Sequence, residues 1–198
     1  METTGKNQAL LLGRAGDLPQ PSHMNHGIQY DTFPLEVERL SGARDILNVV
    51  ASRELLTACP IRLGESYRLT GEVRSFNNRS GVGSRLVISF FARAIAPDDG
   101  EPENRLELEG ALCKAPVLRR TPLGREICDL LLAVNRPYGR SDYLPCIAWG
   151  SLARSCGTLS VGDRVHLLGR LQSRTYRKLV DDHEEERTAY EVSVISLL

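Results

Sequence analysis

The sequence has no excess of charge: 25 Lys and Arg balance 25 Asp and Glu over 198 residues. That excludes a protein that gathers polyanions by bulk attraction, so any such binding has to be local. Lysine is nearly missing, with Lys6, Lys114 and Lys178 against 22 arginines. Arginine brings a planar fork that suits phosphates and stacks on flat rings, although the bias fits genome composition equally well. No C-x-x-C pair occurs among Cys59, Cys113, Cys128, Cys146 and Cys156. This odd, scattered set argues against a disulfide framework or a structural zinc and fits a reducing compartment. No apolar run approaches the ~20 residues that span a bilayer. The run from Ala9 to Leu12, stopped by Gly13 and Arg14, is too short for the apolar part of a signal peptide. A cytoplasmic protein is expected. Catalytic groupings are lacking too, since no Ser/His/Asp set or paired carboxylates stand out. The Gly81 and Gly83 stretch lacks the Gly-Lys-Ser/Thr of a phosphate loop. His23 with His26, and Asp181, Asp182, His183 and Glu184, lack a third ligand at defined spacing. No enzyme, no metal and no cofactor are expected.

What is there is a repeat. Residues 61–75 (IRLGESYRLTGEVRS) resemble residues 159–173 (LSVGDRVHLLGRLQS), with Gly64 opposite Gly162 and Gly71 opposite Gly169, each 98 positions apart. At that offset residues 45–51 fall opposite 143–149, and nearer the starts Gly13 lies opposite Gly110 at an offset of 97. Residues 96–104, with two prolines, a glycine and four acids, read as a solvated linker. Two domains follow: an amino-terminal one over residues 1–103, linker included, and a carboxy-terminal one over 104–198. Each is β-rich. Residues 66–76 and 165–176 alternate apolar with polar, while 77–84 and 179–186 read as hairpin tips before closing strands at 85–95 and 188–197. Helix is expected only around 52–59 and 151–159. Five strands with a short helix before the fourth give an all-β class with short helices, as two tandem OB-fold barrels. Small sandwiches share much of this pattern.

Period-two geometry sorts the second copy's side chains into faces. Val165, Leu167 and Leu171 share one side of their strand, whereas Arg170, Gln172, Arg174 and Tyr176 share the other. On the preceding strand Tyr143, Pro145, Ile147 and Trp149 fall on one face, and an earlier strand ends at Arg136-Pro137-Tyr138. Rings interleaved with arginine suit single-stranded nucleic acid, where each stacked base contributes ~1–3 kcal/mol and Arg follows phosphate. The plainer reading is that aromatics are common in strands, a lone Trp is more often core, and basic residues on a strand are solvated. The acidic residues of 181–186 beside the basic strip read either as a solvated turn or as a segment that repels or mimics phosphate.

Several collinear segments then carry a resemblance: Gly110-Ala-Leu, Arg119-Arg-Thr-Pro122-Leu-Gly124, Leu132-Ala-Val-Asn-Arg136, Asp142-Tyr143 on to Ile147-Ala-Trp149-Gly150, and Gly169-Arg-Leu-Gln-Ser-Arg174-Thr-Tyr176. Over roughly residues 106–197 the chain resembles the bacterial single-stranded DNA-binding protein family. That resemblance implies an OB-fold, no enzymatic activity, and assemblies that carry four OB domains, hence a homodimer here. It places stacking aromatics on Tyr138, Tyr143, Trp149 and Tyr176 and basic contacts on Arg119 and Arg174. Leu144 and Pro145 depart from the polar and basic residues often found there. The family's acidic, Phe-ended tail is not present before Leu198, so recruitment of replication and repair proteins through a tail is not expected.

Carried back by 98 positions, Tyr138, Tyr143, Trp149 and Tyr176 fall opposite Leu40, Asp45, Ala51 and Asn78, and Arg170 opposite Glu72. The first copy is therefore expected to be a scaffold. Phe76 reads as a displaced stacking residue or as a hairpin side chain that packs locally. The expected function is sequence-independent binding and protection of single-stranded DNA in replication, recombination or repair. Arg119, Arg136, Arg170, Arg174, Arg177 and Lys178 would follow the backbone, in a nucleoid-associated protein. Over residues 104–180, 13 Arg and Lys face 6 Asp and Glu, a local excess of 7 positive charges that net neutrality conceals. The rival reading is a tandem-OB accessory factor, of the primosome or mobile-element kind, acting mainly through protein contacts.

Overall fold

The computed structural model describes residues 5–79, 84–180 and 182–198. Both copies run through one succession of elements. The first consists of β1 (Asn7–Ala15), β2 (Gln20–Asn25), β3 (Ile28–Glu38), β4 (Arg44–Ser52), α1 (Arg53–Ala58), β5 (Ser66–Asn77) and β6 (Leu86–Pro97). The second consists of β7 (Glu103–Leu112), β8 (Val117–Arg120), β9 (Glu126–Arg136), a 3-10 turn (Pro137–Gly139), β10 (Arg140–Trp149), α2 (Gly150–Cys156), β11 (Arg164–Val180) and β12 (His183–Leu197).

Strand order is β2-β3-β4-β6-β5-β1 in one copy and β8-β9-β10-β12-β11-β7 in the other. The first closes where β1 meets β3 at Arg14 and Glu36, and the second where β7 meets β9 at Ala111 and Ala133. Each has one parallel contact, β4 with β6 and β10 with β12. These are two OB-fold barrels, as the strand pattern implied. Inward positions at period two fill each one: Leu11, Leu35, Leu47, Leu69 and Phe90 in the first, Leu108, Leu132, Leu144, Leu167 and Leu171 in the second, all buried. The glycines that revealed the repeat stand where backbones cross. A Cβ on Gly13 or Gly110 would overlap the carbonyl oxygen of Glu36 or Ala133, and one on Gly71 or Gly169 that of Phe91 or Ser193.

Two strands were not expected. β2 and β8 are exposed along their whole length and pair on one edge only, so no burial period marks them. The tip expected at 179–186 is also shorter in fact. Pairing of β11 with β12 continues to Val180 and His183, so Glu184, Glu185 and Glu186 are strand residues opposite Leu179, Lys178 and Arg177.

The compact units interleave in sequence. One comprises Gln8–Arg74 and Ile88–Arg105; the other comprises Met1–Asn7, Ser75–Val87 and Leu106–Leu198. The outer end of the β5–β6 hairpin thus belongs to the same body as the carboxy-terminal barrel.

Candidate nucleic-acid interface

β10 presents the expected rings. Its alternate residues Leu144, Cys146 and Ala148 are buried, which turns Tyr143 and Trp149 outward at 45% and 39% exposure. Ile147, on the same side, is covered beside β12. Tyr143 faces Ala133 on β9, too small to cover a phenol. Trp149 ends the strand and caps α2, and Gly150 makes the bend at φ +61°. Tyr138 sits in the Pro137–Gly139 turn with φ 68° and ψ 34°, a left-handed conformation that bulky side chains rarely adopt, and its ring is 97% exposed. A strained backbone that holds a ring in water is a feature that functional surfaces retain.

β11 supplies the cations. Arg170, Gln172, Arg174, Tyr176 and Lys178 alternate along one side of the strand. The Arg174 guanidinium lies 5.6 Å from the centre of the Tyr176 ring, a cation–π contact that half buries the ring. Neither Arg174 nor Lys178 forms an ion pair among the described residues. Arg170 carries a buried Nε without a hydrogen-bond acceptor among the described residues. Gln172 is buried and donates to Glu191 at 2.8 Å.

Three of the expected cations are already bonded. Arg119 donates to Asp129 at 2.5 and 3.2 Å, and that hydrogen bond pushes its guanidinium pKa further up. Arg177 lies 3.3 Å from Glu184 across the ribbon. Arg136 donates through Nε to Asp142 at 2.6 Å, forms a second bond to the same buried carboxylate, and reaches the Ser75 carbonyl at 3.2 Å. Arg136 therefore braces the turn that carries Tyr138.

The same buried pair occurs in the first copy, where Arg39 holds Asp45 through Nε at 2.8 Å and a second, shorter bond. The two pairs stand 97 positions apart, as do the helix caps Ser52 and Trp149. This corrects the 98-residue alignment in β4: Tyr143 corresponds to Ile46 and Trp149 to Ser52, whereas Asp45 and Ala51 are buried equivalents of Asp142 and Ala148. The extra residue enters at the helix, which has six residues in α1 and seven in α2. In the corrected register no ring returns to either position. The unit of Gln8–Arg74 and Ile88–Arg105 instead carries rings that the alignment missed. Tyr30 lies 5.4 Å from Phe91 and 5.1 Å from His23, with the Arg93 guanidinium 4.9 Å from the Phe91 centre. Tyr30 faces Ser52 across β3 and β4, just as Ile127 faces Trp149, so the ring has moved to the neighbouring strand.

No group of three or more His, Cys, Asp or Glu is arranged to hold a metal among the described residues, and none of their helices is long and apolar enough to cross a membrane. The Gly81 and Gly83 stretch and Asp181 lie outside those residues.

Residues 103–197 match the single-strand binding protein family. A single-stranded DNA-binding protein of Halalkalibacterium halodurans is 32% identical over 100 residues, covering 47% of this chain and 56% of that protein. Single-stranded DNA-binding protein A of Bacillus subtilis is 36% identical over 80 residues, covering 37% of this chain and 46% of its own. The chain thus spans about half the length of the curated relatives it matches. The crystal structure of wild-type single-stranded DNA binding protein from Thermus aquaticus superposes with a TM-score of 0.80 at 23% identity, covering 99% of this chain and 93% of that one, a likeness of fold. Aligned sequence, barrel topology and an outward ring-bearing strand converge: the carboxy-terminal half of this chain is similar to the single-strand binding protein family.

Proposed function

We propose that this protein binds single-stranded DNA without regard to sequence, by stacking bases on Tyr138, Tyr143, Trp149 and Tyr176. Arg170, Arg174 and Lys178 meet the phosphates directly. The paired Arg119 and Arg177 contribute where DNA competes with their carboxylates, and Arg136 holds the turn. One observation carries this reading. Three rings stand open to solvent in a barrel that matches this family, on the unit that also carries cations without carboxylate partners among the described residues. Every base has a π-face, so such a surface accepts any sequence. The protein acts as a binder in replication, recombination or repair and not as a catalyst. We place it in the cytoplasm at the nucleoid, as a homodimer that brings four OB units together, and assign the binding domain to residues 104–198.

Trp149 is the sole tryptophan, so its fluorescence reports the site directly. Oligo-dT is expected to quench it, to saturate at a definite length, and to act more weakly as salt rises. Tighter quenching by oligo-U would turn the reading toward RNA, because stacking does not sense the 2′-hydroxyl. Absence of quenching and of binding would refute it in favour of a protein-binding accessory factor.

A further inference from the structure

Beside Tyr143 opens a cleft of about 560 Å³, within the range of ligand sites. One wall is β10 and the turn before it, with Tyr143 and Arg140; the other is the outer end of the β5–β6 hairpin, with Phe76 and Arg79. All four residues belong to one compact unit. We propose that this cleft is a composite nucleotide subsite: Phe76 and Tyr143 take a base, and Arg79 and Arg140 take the adjoining phosphate of the same strand. The inference rests on the single-stranded DNA reading above and extends its path onto a segment outside the matched family region.

Three observations support it. The first is chemical: the two rings are exposed, Phe76 at 57%, and no carboxylate lines the cleft among the described residues. The second is electrostatic, since neither Arg79 nor Arg140 forms an ion pair among the described residues. The third is mechanical. The hairpin is fastened beside the cleft by the Ser75 amide, which donates to Asp142 at 2.6 Å, and by the Ser75 hydroxyl, which accepts from the Tyr143 amide at 2.7 Å. Ser75 and Asp142 are buried, so these bonds hold the wall in place before a ligand arrives and lower the ordering cost of binding. The other unit provides a contrast. Its cleft of about 450 Å³ is lined by Glu36, Glu38, Asp99 and Glu101 against only Arg14 and Arg44, a surface that repels phosphate.

The test uses the full chain and oligo-dT of increasing length. Phe76→Ala is expected to weaken binding about fivefold or more. Arg79→Glu with Arg140→Glu is expected to lower the slope of log affinity against log salt by about 1.4, at about 0.7 per phosphate contact on a single strand. Photo-cross-linking of the unsubstituted protein to iodouracil-bearing oligo-dT is expected to label Phe76, which decides the matter even if a variant folds poorly. Quenching of Trp149 with affinities within twofold, an unchanged salt slope and no adduct at Phe76 would overturn the subsite alone. Absence of Trp149 quenching by the unsubstituted protein would overturn the binding reading and the subsite with it.

Discussion

The two units share a barrel and a buried Arg–Asp pair, yet they differ in what neutralises the cations beside their rings. In the unit of Gln8–Arg74 and Ile88–Arg105, Arg74 and Arg93 lie near Phe91, and Glu72 bonds to both. In the other, Arg174 lies over Tyr176 with no ion pair to a carboxylate among the described residues. The comparison teaches that rings with nearby arginines do not by themselves make a nucleic-acid surface. A guanidinium bonded to Glu72 has much of its charge offset by that carboxylate, so it attracts a phosphate less strongly. Repeat and divergence are thus separable. Close backbone crossings and buried pairs fixed the barrel twice, while outward positions, free of packing, diverged: Arg174 and Lys178 form no ion pair among the described residues of one unit, whereas Arg74 and Arg93 are bonded to Glu72 in the other.

The largest effect is expected at the buried pairs. Asp142→Ala leaves Arg136 without its carboxylate and frees the Ser75 amide, which should cost about 3–5 kcal/mol in stability, read by urea unfolding, and should also weaken oligo-dT binding. Asp45→Ala, which breaks the matching pair, should lose comparable stability while the folded protein keeps its affinity within twofold. Next comes ring removal. Tyr143→Ala with Trp149→Ala should weaken binding at least about thirtyfold, from two stacking contributions of ~1 kcal/mol or more each, measured by anisotropy of labelled oligo-dT. Tyr30→Ala with Phe91→Ala should change it less than twofold. Smaller is the salt response: Arg174→Gln with Lys178→Gln should reduce the salt slope by about 1.4. Smallest is a gain. Glu72→Gln releases Arg74 and Arg93 from its charge and should tighten oligo-dT binding a few-fold, with a steeper salt slope. An unchanged affinity would show that Glu72 is not what silences that face.

Much of the fold was legible because its signals are local. Alternation along β5 and β11 marks strands packed on one side, and Gly71 and Gly169 mark crossings where no Cβ fits. Ser52 announces α1 by accepting from the Leu55 amide. β2 and β8 escaped because strands exposed along their whole length leave no hydrophobic period. The register error in β4 arose because a one-residue insertion at the helix is silent in composition, although a slip of one exchanges buried Asp45 for outward Ile46. Period placed Tyr143 and Trp149 on one face of β10, and both stand outward there. Arg136 was found as a cation, but its bonds to Asp142 and Ser75 depend on tertiary packing. Phe76 remained ambiguous because nothing local shows that its hairpin docks beside Tyr143, 67 positions later in the chain.

The central claim is that single-stranded DNA engages one unit's face and leaves its counterpart untouched. Hydrogen–deuterium exchange with saturating oligo-dT tests this most directly, by comparing the turn at Pro137–Gly139 and the ribbon of β11 with the equivalent turn at residues 39–43 and the β3–β4 pair. Slowed exchange is expected around Tyr138 and along Arg174 to Lys178, with no change at residues 39–43. Equal slowing in both units, or slowing only in the first, would contradict it.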